Sequence, residues 1–204
     1  MPAAGWVGDL ERDAPDVIAC WRSLDAASPL RALRRELRAR VALGSAPRIL
    51  DQQESVGNAL EAVLARLSER LLRAPGGEED WNAAQAFAHA TAGRRFLATW
   101  ASLDAGAAWP EDRPPVVTPS VPGPADASPE QLLILLNKSR RAIREAANRI
   151  GGYETQRCRL EHPLIGRLRC GDWLLWIGVH DCMHLEQLHR LIDADTSAAA
   201  ATNA

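Results

Sequence analysis

Apolar residues recur every third or fourth position through most of the chain, the spacing that lines one face of an α-helix. Val56, Leu60, Val63, Leu64, Leu67 and Leu71 form such a stripe and predict a helix over residues 51–73. Leu30, Leu33, Leu37 and Val41 do the same earlier, with Arg31, Arg34, Arg35 and Arg38 mostly on other faces. Alternating β-branched runs are scarce, and the strong helix formers Ala, Leu, Arg and Glu are abundant. The pattern predicts an all-α fold.

Breaks in the pattern divide it. Ser28-Pro29 splits residues 9–41 into two helical stretches, with serine at a cap and proline in the first turn. Ala74, Pro75, Gly76 and Gly77 end the next helix, and Glu78, Glu79 and Asp80 place negative charge at the start of another, from near Trp81 to about Leu103. Residues 104–127 are too rich in Pro, Gly and Asp for regular helix and predict a long connection, of the kind that often covers a pocket. Ser128-Pro129-Glu130-Gln131 is a capping-box pattern opening a helix to Ile150, where Gly151-Gly152 stops it. Residues 153–169 read as a short extended or hairpin segment. Asp172 caps a last helix over 173–192, and the Ala-rich remainder, 193–204, reads as a disordered tail. The expected architecture is a four-helix bundle over 51–192 with one long crossover loop, preceded by a helical extension over 1–50.

Composition narrows the function classes. A formal net charge of −2 argues against a dedicated nucleic-acid binder, and the arginines of residues 31–40 read as a solvated helix face interrupted by Glu36. No apolar run approaches the ~20 residues needed to span a bilayer. With no secretory pattern at the start, a cytoplasmic location without membrane association is expected. Cys20, Cys158, Cys170 and Cys182 form no CxxC pair and read as free thiols, with Cys158 and Cys170 expected near each other across the hairpin.

Candidate chemistry sits on two helices. His180 and His184, four apart, are about 40° apart around a helix and one turn from each other, so both rings reach a common point. Trp173, Ile177, Gln187 and Leu191 share that face, which therefore looks inward. Two buried imidazoles without a shared ion or hydrogen-bond partners are costly. His89, among small and aromatic residues in the second bundle helix, is the candidate third ligand. A lone HxxxH pair, or a lone core histidine, carries little weight; the combination carries more. Three nitrogens with open positions describe a reactive metal site. Gln187 is a pocket candidate, as is Trp173. Asp181 points about 100° from His180 and reads as a surface or supporting group. Cys182 reads as packing, His189 as surface, His162 as a turn residue, and Trp109 as a pocket lid.

The ordered set Trp81, Gln85, His89, then His162-Pro163-Leu164-Ile165-Gly166, Asp172-Trp173 and His180-xxx-His184-xx-Gln187 resembles the DinB-like metalloprotein superfamily over residues 51–192. The resemblance implies a four-helix bundle, often a homodimer, in which His89, His180 and His184 bind one divalent ion, Zn, Ni or Fe, with Gln85 beside the pocket. It implies a metal-dependent enzyme acting on a small molecule, by S-transfer to or from a low-molecular-weight thiol or by hydrolysis. The alternatives are a non-catalytic metal- or ligand-binding bundle of stress-response type and, more remotely, a DNA-contacting regulator using the arginine-rich extension.

Overall fold

Helix is what the apolar spacing dictates, and the computed structural model, which describes residues 5–75, 81–112 and 114–202, is all-α apart from one hairpin. Three short helices come first: α1 (Gly5–Asp13), α2 (Pro15–Arg22) and α3 (Pro29–Arg40), with a 3-10 turn at Ser23–Asp25. Then follow α4 (Ala46–Arg66), α5 (Glu69–Arg73), α6 (Ala83–Ala105) and α7 (Pro129–Ile150). An antiparallel hairpin, β1 (Arg157–His162) and β2 (Gly166–Arg169), leads directly into α8 (Cys170–Thr202).

The bundle consists of α4, α6, α7 and α8. Each of α4 and α6 packs on both α7 and α8, so α4 lies diagonally across from α6. Leu60, Phe87, Leu136, Ile143, Trp173 and Leu185 fill the space between them with essentially no exposure. Full burial of such side chains contributes roughly 1.5–3 kcal/mol each, which is what holds amphipathic helices together.

The N-terminal helices share this core. Val17, Ile18, Leu33 and Leu37 belong to the same buried cluster as the bundle residues, and α2 packs along α8. Gly178 makes the approach close: a Cβ there would lie 2.8 Å from both Val17 Cγ2 and Gln53 Nε2. Gln52 ties α2 to α4, its Oε1 accepting the N–H groups of Asp16 (2.9 Å) and Val17 (3.2 Å) and its Nε2 donating to Asp16 (2.7 Å). These are the first-turn donors of α2, which have no partner within the helix.

Several boundaries differ from expectation, among them the start of the last helix, which begins at Cys170 and so places Asp172 within its first turn and not at its cap. The helix predicted over 51–73 starts earlier, at Ala46, and breaks at Leu67, after which Ser68 caps the separate α5 by accepting from the N–H of Leu71 (3.2 Å). The local serine cap competes successfully with continuation of the stripe. The last helix does not stop near Ile192 but runs to Thr202, correcting the disordered tail; alanine is the best helix former, and Arg70 on α5 pairs with Asp195. Gly76, Gly77 and the acidic residues at 78–80 lie outside the described residues.

The long connection, residues 106–128, runs along the hairpin. The N–H of Val117 donates to the carbonyl of Glu161 (2.8 Å), and the N–H of Glu161 donates to the carbonyl of Pro115 (2.6 Å). Trp109 is buried against Trp100, with ring centroids 5.0 Å apart and the Arg159 guanidinium 5.5 Å from its own ring centre. It anchors the loop in the core and is not the lid expected of it.

Glu154, fully buried between α7 and the hairpin, accepts from the N–H groups of Gly44 (3.0 Å), Ala46 (3.1 Å) and Gly152 (2.9 Å). A carboxylate there satisfies the open N-terminus of α4 and clamps two turns distant in sequence. Replacing Glu154 with Ala leaves these donors unsatisfied. We expect a loss of about 2–3 kcal/mol in urea unfolding, with a smaller loss for Glu154→Gln; equal stability of wild type and Glu154→Ala would rule the clamp out.

Candidate metal centre

A capping box sets the start of α6: Asn82 accepts from the N–H of Gln85 (2.9 Å), while Gln85 Oε1 accepts from the N–H of Asn82 (3.1 Å). His89 follows on the inner side of that helix and faces α8. There His180 and His184 stand one turn apart. The three ring centroids form a near-equilateral triangle, 4.7 Å for His180–His184, 5.2 Å for His89–His180 and 5.1 Å for His89–His184. One nitrogen from each ring lies within 4.8 Å of the other two.

Hydrogen bonds decide which nitrogens are free. His89 Nδ1 sits 2.8 Å from the carbonyl oxygen of Val121. A carbonyl only accepts, so Nδ1 carries the proton and Nε2 keeps its lone pair. His184 Nδ1 lies 3.0 Å from Gln187 Oε1, which assigns its proton in the same way. The Nε2 atoms of His180 and His184 then face each other at 3.3 Å, and His180 Nδ1 is buried with no partner. Two nitrogens each 2.0–2.1 Å from a tetrahedral zinc would be roughly 3.3 Å apart. The residues therefore fit a divalent cation: each ring turns one nitrogen toward a common point, and the single hydrogen bond among them, His180 Nε2 to His184 Nε2, would give way to the ion. Among the described residues no other His, Cys, Asp or Glu joins the group. Three protein ligands leave an open position.

Electrostatics keep the rings in ligand form. Burial, reinforced by His184 and His89, pushes His180 well below the ordinary histidine range. Burial also lowers His184 from 6.5 to about 4. Asp181, the neighbour of His180, is fully buried and ion-paired with Arg94 of α6, so of its two expected readings the supporting one holds and the surface one does not. Burial raises its pKa, and Arg94 pulls it back. Arg94 was not singled out in the sequence. The signal was present: a lone carboxylate inside the apolar run 173–182 demands a buried cation.

The triad opens into a cleft of about 880 Å³. Its walls come from α6 (Gly93, Phe96, Trp100), the long loop (Val117 to Gly123), the hairpin (His162, Leu164, Ile165) and α8 (Trp176, Met183, Gln187). Leu24 and Leu30, from the N-terminal helices, complete the rim. Of the expected pocket residues, Gln187 lines the cleft and holds His184. Gln85 and Trp173 do not line it; Gln85 is engaged in its helix cap, and Trp173 is buried in the core. His162 does line it: its Nδ1 accepts from the N–H of Leu164 (3.1 Å), so the ring proton is on Nε2, and burial lowers its pKa. His189 stacks on Trp6, 5.4 Å between centroids, away from the triad. The loop is pressed onto α6, since a Cβ on Gly123 would lie 2.3 Å from Ala88 Cβ. That contact delivers the Val121 carbonyl to His89.

All four cysteines are buried free thiols. The Cys170 thiol, through a hydrogen bond, and burial push the Cys158 thiol up. Burial, with Glu36 and Asp172 adding and Arg40 opposing, takes Cys20 up to about 12. Cys20, Cys158 and Cys182 are therefore thiols, not thiolates, at neutral pH.

Two predictions follow from this geometry. A Cβ on Gly93 would stand 3.2 Å from His180 Cε1, so the ring must shift by tenths of an ångström. Gly93→Ala should leave unfolding stability equal or raised by up to ~1 kcal/mol. Its metal affinity should fall roughly tenfold, as read by competition with a chelating dye; unchanged affinity would show that the ring position is not critical. For the metal-free protein, the unfolded chain binds protons at His184 from 6.5 downward, whereas the folded chain does so only near about 4. Stability is therefore lost as pH falls through that window, His180 adding in the same sense and Asp181, raised to about 6, offsetting part. The His184 share is at most about 3 kcal/mol, reduced where the ring edge meets the open cleft. Urea midpoints of stripped protein at pH 7 and pH 4.5 measure it, and an unchanged midpoint would mean solvated rings.

No helix among the described residues is long and apolar enough to cross a membrane. No curated protein and no solved structure matches the chain. The sequence does match the family model described as the DinB superfamily over residues 52–188, a span that begins within α4, ends within α8 and includes His89, His180 and His184. A helical bundle with His89, His180 and His184 converging between its second and fourth long helices agrees with that match, and the chain belongs to the DinB superfamily.

Proposed function

We propose that the protein is a metal-dependent enzyme acting on a small molecule, by thiol S-transfer or hydrolysis, with His89, His180 and His184 holding one divalent ion, Zn, Ni or Fe. The observation that supports it best is the combination of three converging imidazoles, no fourth protein ligand among the described residues, and a cleft of about 880 Å³ leading to them. A structural ion is normally closed off by four protein ligands. When bound, the ion supplies Lewis acidity, making a water or thiol acidic enough to act near neutral pH.

The chain's own residues do the rest. The Val121 carbonyl and Gln187 Oε1 hold the His89 and His184 rings with their Nε2 atoms free. His162 offers an Nε2–H on the cleft wall as a donor to a substrate oxygen. No carboxylate lines the cleft among the described residues, so the only ionisable bases there are imidazoles. Apolar walls exclude water from the reacting groups, strengthening each hydrogen bond within. A homodimer and a reducing, cytoplasmic setting are part of the proposal, the latter consistent with four free thiols.

Elemental analysis of purified protein tests it. We expect roughly one first-row ion per chain in wild type and almost none in His180→Ala, since two remaining nitrogens make a weak site. Wild type that arrives metal-free and takes up no Zn, Ni or Fe on titration would sink the proposal. An ion that binds but never admits water or a thiol to its coordination sphere would favour the non-catalytic bundle.

A further inference from the structure

The large apolar side chains that remain exposed are not scattered. Among the described residues nine are exposed, and Leu30, Phe96, Val121, Leu164 and Met183, five of the nine, line the mouth of the one cleft that ends at the histidines. Concentrated apolar exposure around a concavity marks a binding site for an apolar partner. Charge in the cleft is equally one-sided. Among the described residues its lining contains no Asp, Glu or Lys, and Arg95 is the one permanent charge. Arg95 is exposed and has no ion pair among the described residues, whereas its neighbour Arg94 is buried and fully engaged. Among the described lining residues a cation finds no counter-charge, and a doubly charged or zwitterionic ligand finds one anchor at most.

We propose that the cleft takes an apolar small molecule bearing a single negative charge, its body between Phe96, Trp100, Trp176 and Leu164, and its anionic group at Arg95. Leu24 and Leu30 add apolar surface to the rim. They lie outside residues 52–188, so the N-terminal helices set the length and shape of ligand accepted. This rests on the reading of the cleft as the substrate site. The volume suits a single drug-sized molecule, within the ~300–1,000 Å³ usual for ligand pockets. A second copy of the chain would need a broad face, but these side chains ring a recess.

The test uses full-length protein, as purified and after metal stripping, with 8-anilinonaphthalene-1-sulfonate as a fluorescent reporter. Competitors are 1-octanesulfonate, 1-octanol and octyltrimethylammonium, which share a chain and differ in charge; sulfonate is also a poor metal ligand. Octanesulfonate should compete about tenfold better than the ammonium compound, and Arg95→Gln should weaken the sulfonate about fivefold while leaving octanol unchanged. Leu30→Ser, at an exposed position in the first turn of α3, should weaken all three by about threefold. Equal competition by anion and cation, or no effect of Arg95→Gln, overturns the proposal. So does a dimer that Leu30→Ser dissociates without altering probe binding. Zinc uptake is measured on the same samples: discrimination among the probes without zinc uptake supports this assignment while removing the metal-enzyme reading, and zinc uptake without discrimination does the reverse.

Discussion

Arg94 is where the four long helices meet. Its guanidinium, carried by α6, pairs with Asp181 of α8, donates to Ser139 Oγ of α7 at 3.2 Å and to the Gln53 carbonyl of α4 at 3.3 Å. Both charged side chains are essentially without exposure. Such a pair adds little to net stability relative to well-packed apolar residues, because two ions have been taken out of water. Breaking it is another matter, costing about 3–5 kcal/mol through the charge left behind. The pair therefore acts chiefly as a constraint on registry. Asp181 adjoins His180, and Arg94 lies five residues beyond His89, so the contact that locks α6 against α8 also brings their imidazoles together.

Around that lock the structure settles the state of each ring by what it is denied. The Val121 carbonyl and Gln187 take one nitrogen each from His89 and His184, and burial keeps His180 and His184 from protonating. What remains is three inward-facing nitrogens, with His180 and His184 sharing one hydrogen bond, at the spacing a cation needs. The loop that supplies Val121 is itself held by Gly123 against α6, by Trp109 in the core and by the Glu161 backbone of the hairpin. A segment with no regular structure of its own is thereby fixed at three places and can position a ligand.

The N-terminal helices are not an appendage. Gln52 and Asp16 join α2 to α4, Gly178 admits Val17 against α8, and Glu154 clamps the turn before α4. Through Leu24 and Leu30 the same segment reaches the cleft. Residues that lie outside the family match thus contribute both to the core and to the site.

The amino-acid pattern determined what is local. Helix over each apolar stripe, the capping box at Ser128, the hairpin before the last helix and the shared face of His180 and His184 all depend on residues within a few positions of one another. Propensity, caps and the 3.6-residue period act over that range. His89 was legible as a candidate for the same reason, as an imidazole on an apolar helix. Only the tertiary structure decided that its ring meets the other two, because that distance depends on how α6 lies across α8. An apolar face states that a helix must be covered but not by which neighbour. The placement of Gln85 in a cap, of Trp173 in the core and of Asp181 opposite Arg94, together with the reach of Leu30 into the cleft, belongs to the same class. Each is set by packing between segments far apart in the chain, where the free energy lies in pairs of surfaces that no single stretch of sequence contains.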